Sequence, residues 1–411
     1  MIDLPQGTPH RWRRQAQRLA GGSGFVAGNQ LTLLQNGDDY FPAIEAAFDQ
    51  ARHEIHLETY IYEDDATGQR IAAALARAAL RGVNVCLLID GYGSRNLPPD
   101  RIARLRSEGV KVLVYRPRIS PWTFRRKRLR RLHRKIVVVD RQIVFIGGIN
   151  IIADCAAADL APRHDYAVAV EGPLVETILR STSRLWSRVA WFSLRKDWAH
   201  RSEVPHPTAT GGSVSAAFLT RDNVRHRRDI EAAYLQAIRQ ARSEIILAHA
   251  YFLPGREFRH ALVGAIQRGV RVVLLLQGKV EYRLEHYAVR ALYGTLLDAG
   301  IEIYEYHKSF LHAKVAVIDA HWATIGSSNI DPFSLLLSLE ANLVVDDEAF
   351  GGNFARILKE TVKTDGWRIL SESWKQQPVY LRFFSWFSYG LLRLMRGLSG
   401  YAREIDRARN E

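Results

Sequence analysis

The sequence predicts an α/β fold made of two copies of one unit, each a sheet of apolar strands covered by helices on both faces. Three observations point to it. First, segments recur at near-constant offsets along the 411 residues. EIHLETYIY at 54–62 resembles EIILAHAYF at 244–252, an offset of 190, and RGVNVCLLIDG at 81–91 resembles RGVRVVLLLQG at 268–278, an offset of 187. GVKVLVY at 109–115 resembles GIEIYEY at 300–306, an offset of 191. HRKIVVVDRQIVFIGGIN at 133–150 pairs with HAKVAVIDAHWATIGSSN at 312–329, an offset of 179, with seven of eighteen positions identical. Second, short β-branched runs alternate with helical patterns such as GQRIAAALARAALRG, which closes at Gly82, a C-cap residue. Third, the strands are apolar throughout rather than alternating, as in sheets buried on both sides.

Residues 1–29 form a basic N-terminal extension with Arg11, Arg13, Arg14 and Arg18 and without the apolar core of a signal peptide. The first unit occupies 30–200. A Pro-, Gly-, Ser- and Thr-rich linker follows at 201–213, then the second unit at 214–366. The last segment, 367–411, lies beyond the repeat. On a helix at about 100° per residue, its Arg382, Arg393 and Arg396 fall within an arc of about 60°, widened to about 140° by Ser385 and Ser388. The rest of that surface is Phe, Trp, Tyr, Leu and Met. This is the pattern of an interfacial helix, and a core or dimer-packing helix is the alternative. No stretch reaches the roughly 18 apolar residues of a spanning helix. Cys86 and Cys155 read as reduced thiols without a redox role, too few and too far apart for a disulfide framework or a zinc site.

The formal charge of +14 and pI near 9.9 ask for an anionic partner, either nucleic acid or an acidic membrane. Ten basic and no acidic residues lie between Arg116 and Lys135, and without them the excess falls to +4. The drop in offset from 191 to 179 marks the same place: the first copy carries twelve extra residues there. Trp122 and Phe124 are interleaved with Arg125, Arg126, Lys127, Arg128, Arg130 and Arg131. Such a mixture suits anionic headgroups at a membrane surface. It could also grip a nucleic-acid backbone and stack on bases.

The chemistry sits in the fourth repeat. Each copy holds His-x-Lys, four residues, Asp, six residues, then a Gly-bearing turn to Asn. These are His133, Lys135, Asp140, Gly147, Gly148 and Asn150, and again His312, Lys314, Asp319, Gly326, Ser327, Ser328 and Asn329. Positions i and i+2 of a strand share a face, so each copy presents an imidazole beside an ammonium. Two imidazoles, two ammonium groups and two amides at one point suit a phosphoryl group. Cations and amides would hold the non-bridging oxygens, one His would attack phosphorus and the other would protonate the leaving oxygen. Asn150, Asn329 and Ser327 are the candidate phosphate ligands. Asp140 and Asp319 belong to the repeated catalytic motif, yet they end their strands and read as orienting the turn. Glu58 and His249 are read as counterparts, either of which could face the interface.

The paired motif resembles the phospholipase D superfamily, and most closely its bacterial cardiolipin synthases without N-terminal transmembrane helices. Softer similarities are LETYIYEDD at 57–65, LLIDGYGS at 87–94, DYAVAVEGP at 165–173 and HWATIGSSNIDPFSLLLSLEANL at 321–343. The resemblance covers most of residues 30–365. It implies two αβα sandwich lobes related by pseudo-two-fold symmetry with one active site between them, a phosphohistidine intermediate, and no metal or other cofactor. It implies that an acidic residue downstream of each motif bonds that motif's His, the matching positions being Asp165 and Glu340. It points to His133 as the nucleophile and His312 as acid and base. The substrate it implies is an anionic phospholipid: one phosphatidylglycerol gives its phosphatidyl group to another, yielding cardiolipin and glycerol. The expected location is the cytoplasmic face of the cell inner membrane, as a peripheral protein. Water as acceptor would make the same site a phospholipase D-type hydrolase, and a nuclease or nucleic-acid phosphodiesterase is the alternative with another substrate.

Overall fold

The computed structural model describes residues 24–117, 130–153, 162–198, 211–222, 226–331 and 338–398. Trp122, Phe124, Arg125, Arg126, Lys127, Arg128, Cys155 and the N-terminal arginines lie outside the described residues. Sixteen strands form one sheet. In chain order the first half runs β1 (Val26–Gln35), α1 (Asn36–Gln50), β2 (Glu54–Thr59), α2 (Ala66–Leu80), β3 (Asn84–Asp90), α3 (Pro99–Ser107), β4 (Lys111–Tyr115), β5 (Arg131–Leu132), β6 (Ile136–Val139), β7 (Ile143–Gly147), β8 (Tyr166–Glu171) and α4 (Leu174–Phe192). The second runs β9 (Val214–Arg221), α5 (Asp229–Gln240), β10 (Glu244–His249), α6 (Arg256–Gln267), β11 (Arg271–Gln277), α7 (Arg283–Arg290), α8 (Tyr293–Asp298), β12 (Glu302–Tyr306), β13 (Lys314–Ile318), β14 (Trp322–Gly326), β15 (Ser338–Asp346) and α9 (Glu348–Asp365). Three elements follow: β16 (Gly366–Ile369), α10 (Ser371–Lys375) and α11 (Val379–Leu398).

Outward from the centre, the strand order is β1-β8-β7-β6-β2-β3-β4 on one side and β9-β15-β14-β13-β10-β11-β12 on the other, with β16 at the second edge. The two orders are the same, so the sequence repeat is a repeat of topology. β1 and β9 pair antiparallel and join the halves into a continuous sheet. In each half the three edge strands are parallel and the rest antiparallel. The parallel strands are connected by helices, as crossover geometry demands.

Local signals place these helices. Asp65 caps α2 by accepting from Gly68 N, and Asp347 caps α9 by accepting from Phe350 N. Gly82 and Gly269 follow α2 and α6 at φ +87° and +84°, backbone that only glycine adopts at little cost. The buried apolar faces of the described residues form a core in each half, a smaller one between α4 and β3–β4 in the first half, and one shared by both. The shared core joins Val168 and Ile178 of the first half to Val315, Leu343, Phe354 and Leu358 of the second. It clamps the halves together and thereby fixes the site between them.

The C-terminal helix α11 departs from expectation. Ser385 and Ser388 are buried, and Leu392 enters the second-half core. The helix lies chiefly on α7. The serines, expected on the water-facing arc, face the protein instead, because small side chains let two helices approach closely. Tyr380, Phe383, Phe384, Trp386 and Phe387 point outward, with Phe383 65% and Trp386 55% exposed.

Candidate active site

Both motifs begin where a short stretch of chain leaves its own half and pairs with the other. β5 runs parallel to the start of β15, and His133 N donates to Leu339 O at 3.0 Å. In the second half Leu311 bridges to His164, and His312 N donates to His164 O at 2.8 Å. Each His therefore hangs beside the residue that precedes the other half's carboxylate. His133 Nδ1 lies 2.9 Å from Glu340 Oε2, and His312 Nδ1 lies 2.6 Å from Asp165 Oδ2. The carboxylates are those the sequence selects, but the pairs are crossed: neither serves the His of its own copy. Main-chain pairing between the halves, which a residue pattern does not encode, is the cause.

A carboxylate on Nδ1 fixes the tautomer with hydrogen on that nitrogen and the lone pair on Nε2. Among the described residues neither Nε2 has a hydrogen-bond partner, and the two side chains stay 15% and 18% exposed. Burial lowers the affinity of both rings for a second proton. The nearby carboxylates oppose this and the lysines reinforce it, so that His133 is held below its ordinary value and His312 falls to about 4. Asp165 is penalised by burial, but Lys314 and His312 outweigh that and hold it below the usual carboxylate range. In the free protein both rings are thus neutral at pH 7, each with an Nε2 lone pair toward the opening.

Lys135 and Lys314 are buried, and each folds its ammonium back onto the carbonyl of the His two residues earlier. Burial together with the other lysine's charge pushes Lys135 down to about 7, and burial pushes Lys314 down to about 8 against the pull of Asp165 and Glu340. Two buried ammonium groups held below their ordinary values beside the imidazoles suit an anionic group.

The turn residues sort differently. Asn150 Oδ1 accepts from Ile61 N at 3.1 Å, which leaves its amide nitrogen for a ligand. Asn329 Oδ1 is buried and has no partner among the described residues. Ser327 departs from its expected role: it is fully buried, its hydroxyl donates to Glu340 Oε2 at 2.5 Å, and it accepts from Ala341 N. It orients the carboxylate behind His133 rather than facing a phosphate. Ser328 is buried as well, and its N–H donates to Asn342 Oδ1 at 3.3 Å.

Asp140 and Asp319, counted with the catalytic motif, stand apart from the imidazoles. Lys135 and Asp140 are five strand steps apart, about 16 Å at 3.3 Å each. Asp140 accepts from the backbone N–H groups of Arg52, His53 and Glu54, and Asp319 from those of Arg242, Ser243 and Glu244. Each starts a two-residue hairpin at positive φ, Asp140-Arg141 and Asp319-Ala320, where a short side chain tolerates the left-handed region. They tie the motif hairpin to the neighbouring strand, as their strand-end position suggested.

Glu58 and His249 are not counterparts. Glu58 pairs in register with Ile136 and Ala248 with Val315, so Glu58 matches Ala248, and His249 matches Thr59. Glu58 is consumed by a buried bidentate pair with Arg134, at 2.8 Å on both oxygens. His249 is buried against Tyr234, and burial pushes it down to about 3. One neighbour went unassigned at the sequence level: the Tyr60 ring lies 4.8 Å from that of His133 and 5.3 Å from Lys135 Nζ. It sits in the LETYIY run, but only the fold shows that its ring turns to the motif. Arg131 lies over the Tyr92 ring at 5.1 Å. Cys86 is buried, which pushes its thiol up to about 12. Among the described residues no group of three or more His, Cys, Asp or Glu is placed to hold a metal ion, and no helix is long and apolar enough to cross a membrane.

Known proteins resemble this chain. The family described as "Cardiolipin synthase, PLD-like domain" matches residues 44–186 and 234–362, one match in each half. Cardiolipin synthase B of Salmonella typhi is 42% identical over 344 residues, covering 83% of this chain and 82% of that protein. Cardiolipin synthase B of Escherichia coli K12 is 41% identical over 339 residues, 82% of this chain and 81% of its own. Among solved structures, phosphatidylserine synthase of Haemophilus influenzae Rd KW20 superposes with a TM-score of 0.70 at 14% identity, covering 94% of this chain and 99% of its own, and so shares the fold. The chain belongs to the cardiolipin synthase family of phospholipase D-like proteins.

Proposed function

We propose that the protein is a phosphatidyltransferase that joins two molecules of phosphatidylglycerol into cardiolipin and releases glycerol. The observation that supports this most is the crossed pair of His–carboxylate couples, each with a free Nε2, around two buried lysines. His133 Nε2 attacks phosphorus in line as the bond to the glycerol oxygen breaks. Glu340 accepts a hydrogen bond from Nδ1–H and stabilises the positive charge that grows on the ring. The His312 ring begins neutral because burial penalises the cation. When the anionic phosphodiester binds and supplies the compensating charge, its Nε2 takes up a proton from solvent and then donates it to the departing glycerol oxygen. In the second step His312 takes the proton of an incoming hydroxyl, the new P–O bond forms and the P–N bond to His133 breaks. Lys135 and Lys314 neutralise the non-bridging oxygens throughout, with the amides of Asn150 and Asn329 as further ligands.

The site works from a membrane surface, on the cytoplasmic face of the inner membrane. The outward aromatic face of α11 supports this: it holds its serines to the protein and its Phe and Trp rings to the outside, as interfacial helices do. Arg130 and Arg131, at the end of the basic insertion, add cations for an anionic surface.

The test is incubation with phosphatidylglycerol vesicles and mass analysis of lipids and protein. Cardiolipin with glycerol is expected from the native protein, and a phosphatidyl adduct on His133 from His312→Ala. Phosphatidic acid alone would replace the synthase reading by a hydrolase, and an adduct on His312 in His133→Ala would reverse the two roles. Flotation of Phe383→Ser/Trp386→Ser with the same vesicles should show weaker binding than the native protein. Undiminished flotation would remove α11 from the contact.

A further inference from the structure

The two halves treat the space beside their motifs differently. In the first half it is closed. Asp90 accepts from Leu132 N, Tyr92 N and Gly93 N, and Ser94 Oγ donates to Tyr60 O while accepting from Tyr62 N. Gln277 matches Asp90, since its Oε1 accepts from Leu311 N at 2.8 Å just as Asp90 accepts from Leu132 N. There the likeness ends. Gln277 is buried, and its Nε2 has no partner among the described residues. It lines a small cleft with Tyr251, Glu281, Tyr282 and His286. Glu281 stands where the first half has Ser94, and its carboxylate accepts from Tyr251 OH at 2.7 Å and from Arg163 Nη1 at 3.0 Å. Arg163 Nε is also buried and unpartnered among the described residues.

The cleft is coupled to the acid–base side of the site. Arg163 lies two residues before Asp165, on the segment whose His164 carbonyl receives His312 N–H. The charge of Glu281 is felt at Lys314, and that of His312 at Glu281. The cleft therefore offers acceptors on Glu281 and an unfilled donor on Gln277, whose Oε1 holds the N–H of Leu311, the residue before His312. Arg163, bonded to Glu281, adds a second unfilled donor. A phosphate is a poor occupant, because the carboxylate would repel it. A molecule carrying several neighbouring hydroxyls can satisfy donors and acceptors together.

We propose that Tyr251, Gln277 and Glu281 form the subsite for the polyol part of the alcohol, the glycerol that leaves and the glycerol headgroup that enters. This rests on the phosphatidyl-transfer reading and assigns the acceptor specificity of that same site. In the acceptor step one hydroxyl loses its proton to His312 Nε2 and bonds to phosphorus, while the bond from phosphorus to His133 breaks. The neighbouring hydroxyls are held by Glu281 and Gln277.

The test uses the full chain and vesicles containing phosphatidyl-p-nitrophenol, whose aryl leaving group has no hydroxyls for the cleft. Release of p-nitrophenol reports formation of the intermediate, and added glycerol and 1-propanol then compete for it. The native protein should form phosphatidylglycerol in preference to phosphatidylpropanol. Glu281→Gln and Tyr251→Phe should each lower that preference about tenfold, as expected when hydrogen bonds to a buried polar site are lost. The preference is a ratio on whatever turnover a variant retains, so general damage does not enter it. Should Glu281→Gln fail to fold, Tyr251→Phe, which removes one hydroxyl, carries the test. A preference within about twofold of native in the folded variants, or none in the native protein, overturns the subsite. A native protein that releases no p-nitrophenol overturns the transfer reading beneath it.

Discussion

The two halves share strand order, hairpin turns and motif spacing, yet they give their histidines different surroundings. His133 leans on Glu340, which is itself held by the hydroxyl of Ser327. His312 leans on Asp165, where the residue matching Ser327 is Gly148, and a Cβ there would stand 2.4 Å from the carboxylate oxygens. The longer carboxylate is braced by a hydroxyl, and the shorter one by the absence of a side chain. Duplication thus supplied the frame, and a few residues at the turn separated the two rings. In the free protein the His312 side stands at about 4. The His133 side alone carries Tyr60, whose ring is tilted 59° against the imidazole.

The largest effects should come from uncoupling the crossed pairs. Glu340→Gln and Asp165→Asn should each lower turnover by about 10²- to 10⁴-fold, because an amide no longer enforces the tautomer or stabilises the cation. Nitrogen NMR of the imidazoles separates the two variants: Glu340→Gln should shift the signals of His133, and Asp165→Asn those of His312. The opposite assignment would mean that each carboxylate serves its own copy after all.

A smaller contrast lies at the turn. Gly148→Ala forces the Asp165 carboxylate or the hairpin to move and should cost about a hundredfold in turnover, through loss of positioning. Ser327→Ala removes one hydrogen bond to Glu340 and should cost about tenfold. Equal losses would erase the distinction between the two braces.

The smallest effect is on stability. Lys135 has a folded-state value of about 7, against 10.5 for the ordinary side chain. Between those values the unfolded chain binds the extra proton, so stability rises with pH across that window, and the penalty of the buried cation is complete below about 7. Lys135→Met should therefore raise the melting temperature by about 2 °C or more at pH 6, with the gain shrinking toward pH 10. A gain independent of pH would show that Lys135 is not a strained cation in the resting site.

Much of this was legible along the chain. The offsets of 190, 187, 191 and 179 located both halves, and the spacing from His to Asn located both motifs. Asp140 and Asp319 read correctly as strand-end residues, since Asp in a two-residue hairpin has a local reason to be there. Other readings failed where the reason was not local. Ser327 looked like a phosphate ligand because a hydroxyl after glycine suits one, and only packing shows it buried on Glu340. Glu58 and His249 looked like counterparts although they lie 191 positions apart where that repeat's offset is 190, and strand register agrees with the offset. On α11 the serines fell on the polar arc of a helical wheel, but a wheel does not say which arc meets the protein.

The sequence by itself determined the two-fold repeat, the α/β class and the two His-x-Lys motifs, because periodicity, motif spacing and residue chemistry are properties of short stretches; the carboxylates behind them came from the family resemblance. The tertiary structure decided which carboxylate meets which histidine, which serine is buried, and which half opens a cleft beside its lysine. Those outcomes depend on β5 crossing to β15 and on a core shared by both halves. The resulting His–carboxylate contacts join residues 207 and 147 positions apart, and neither copy of the repeat contains both partners.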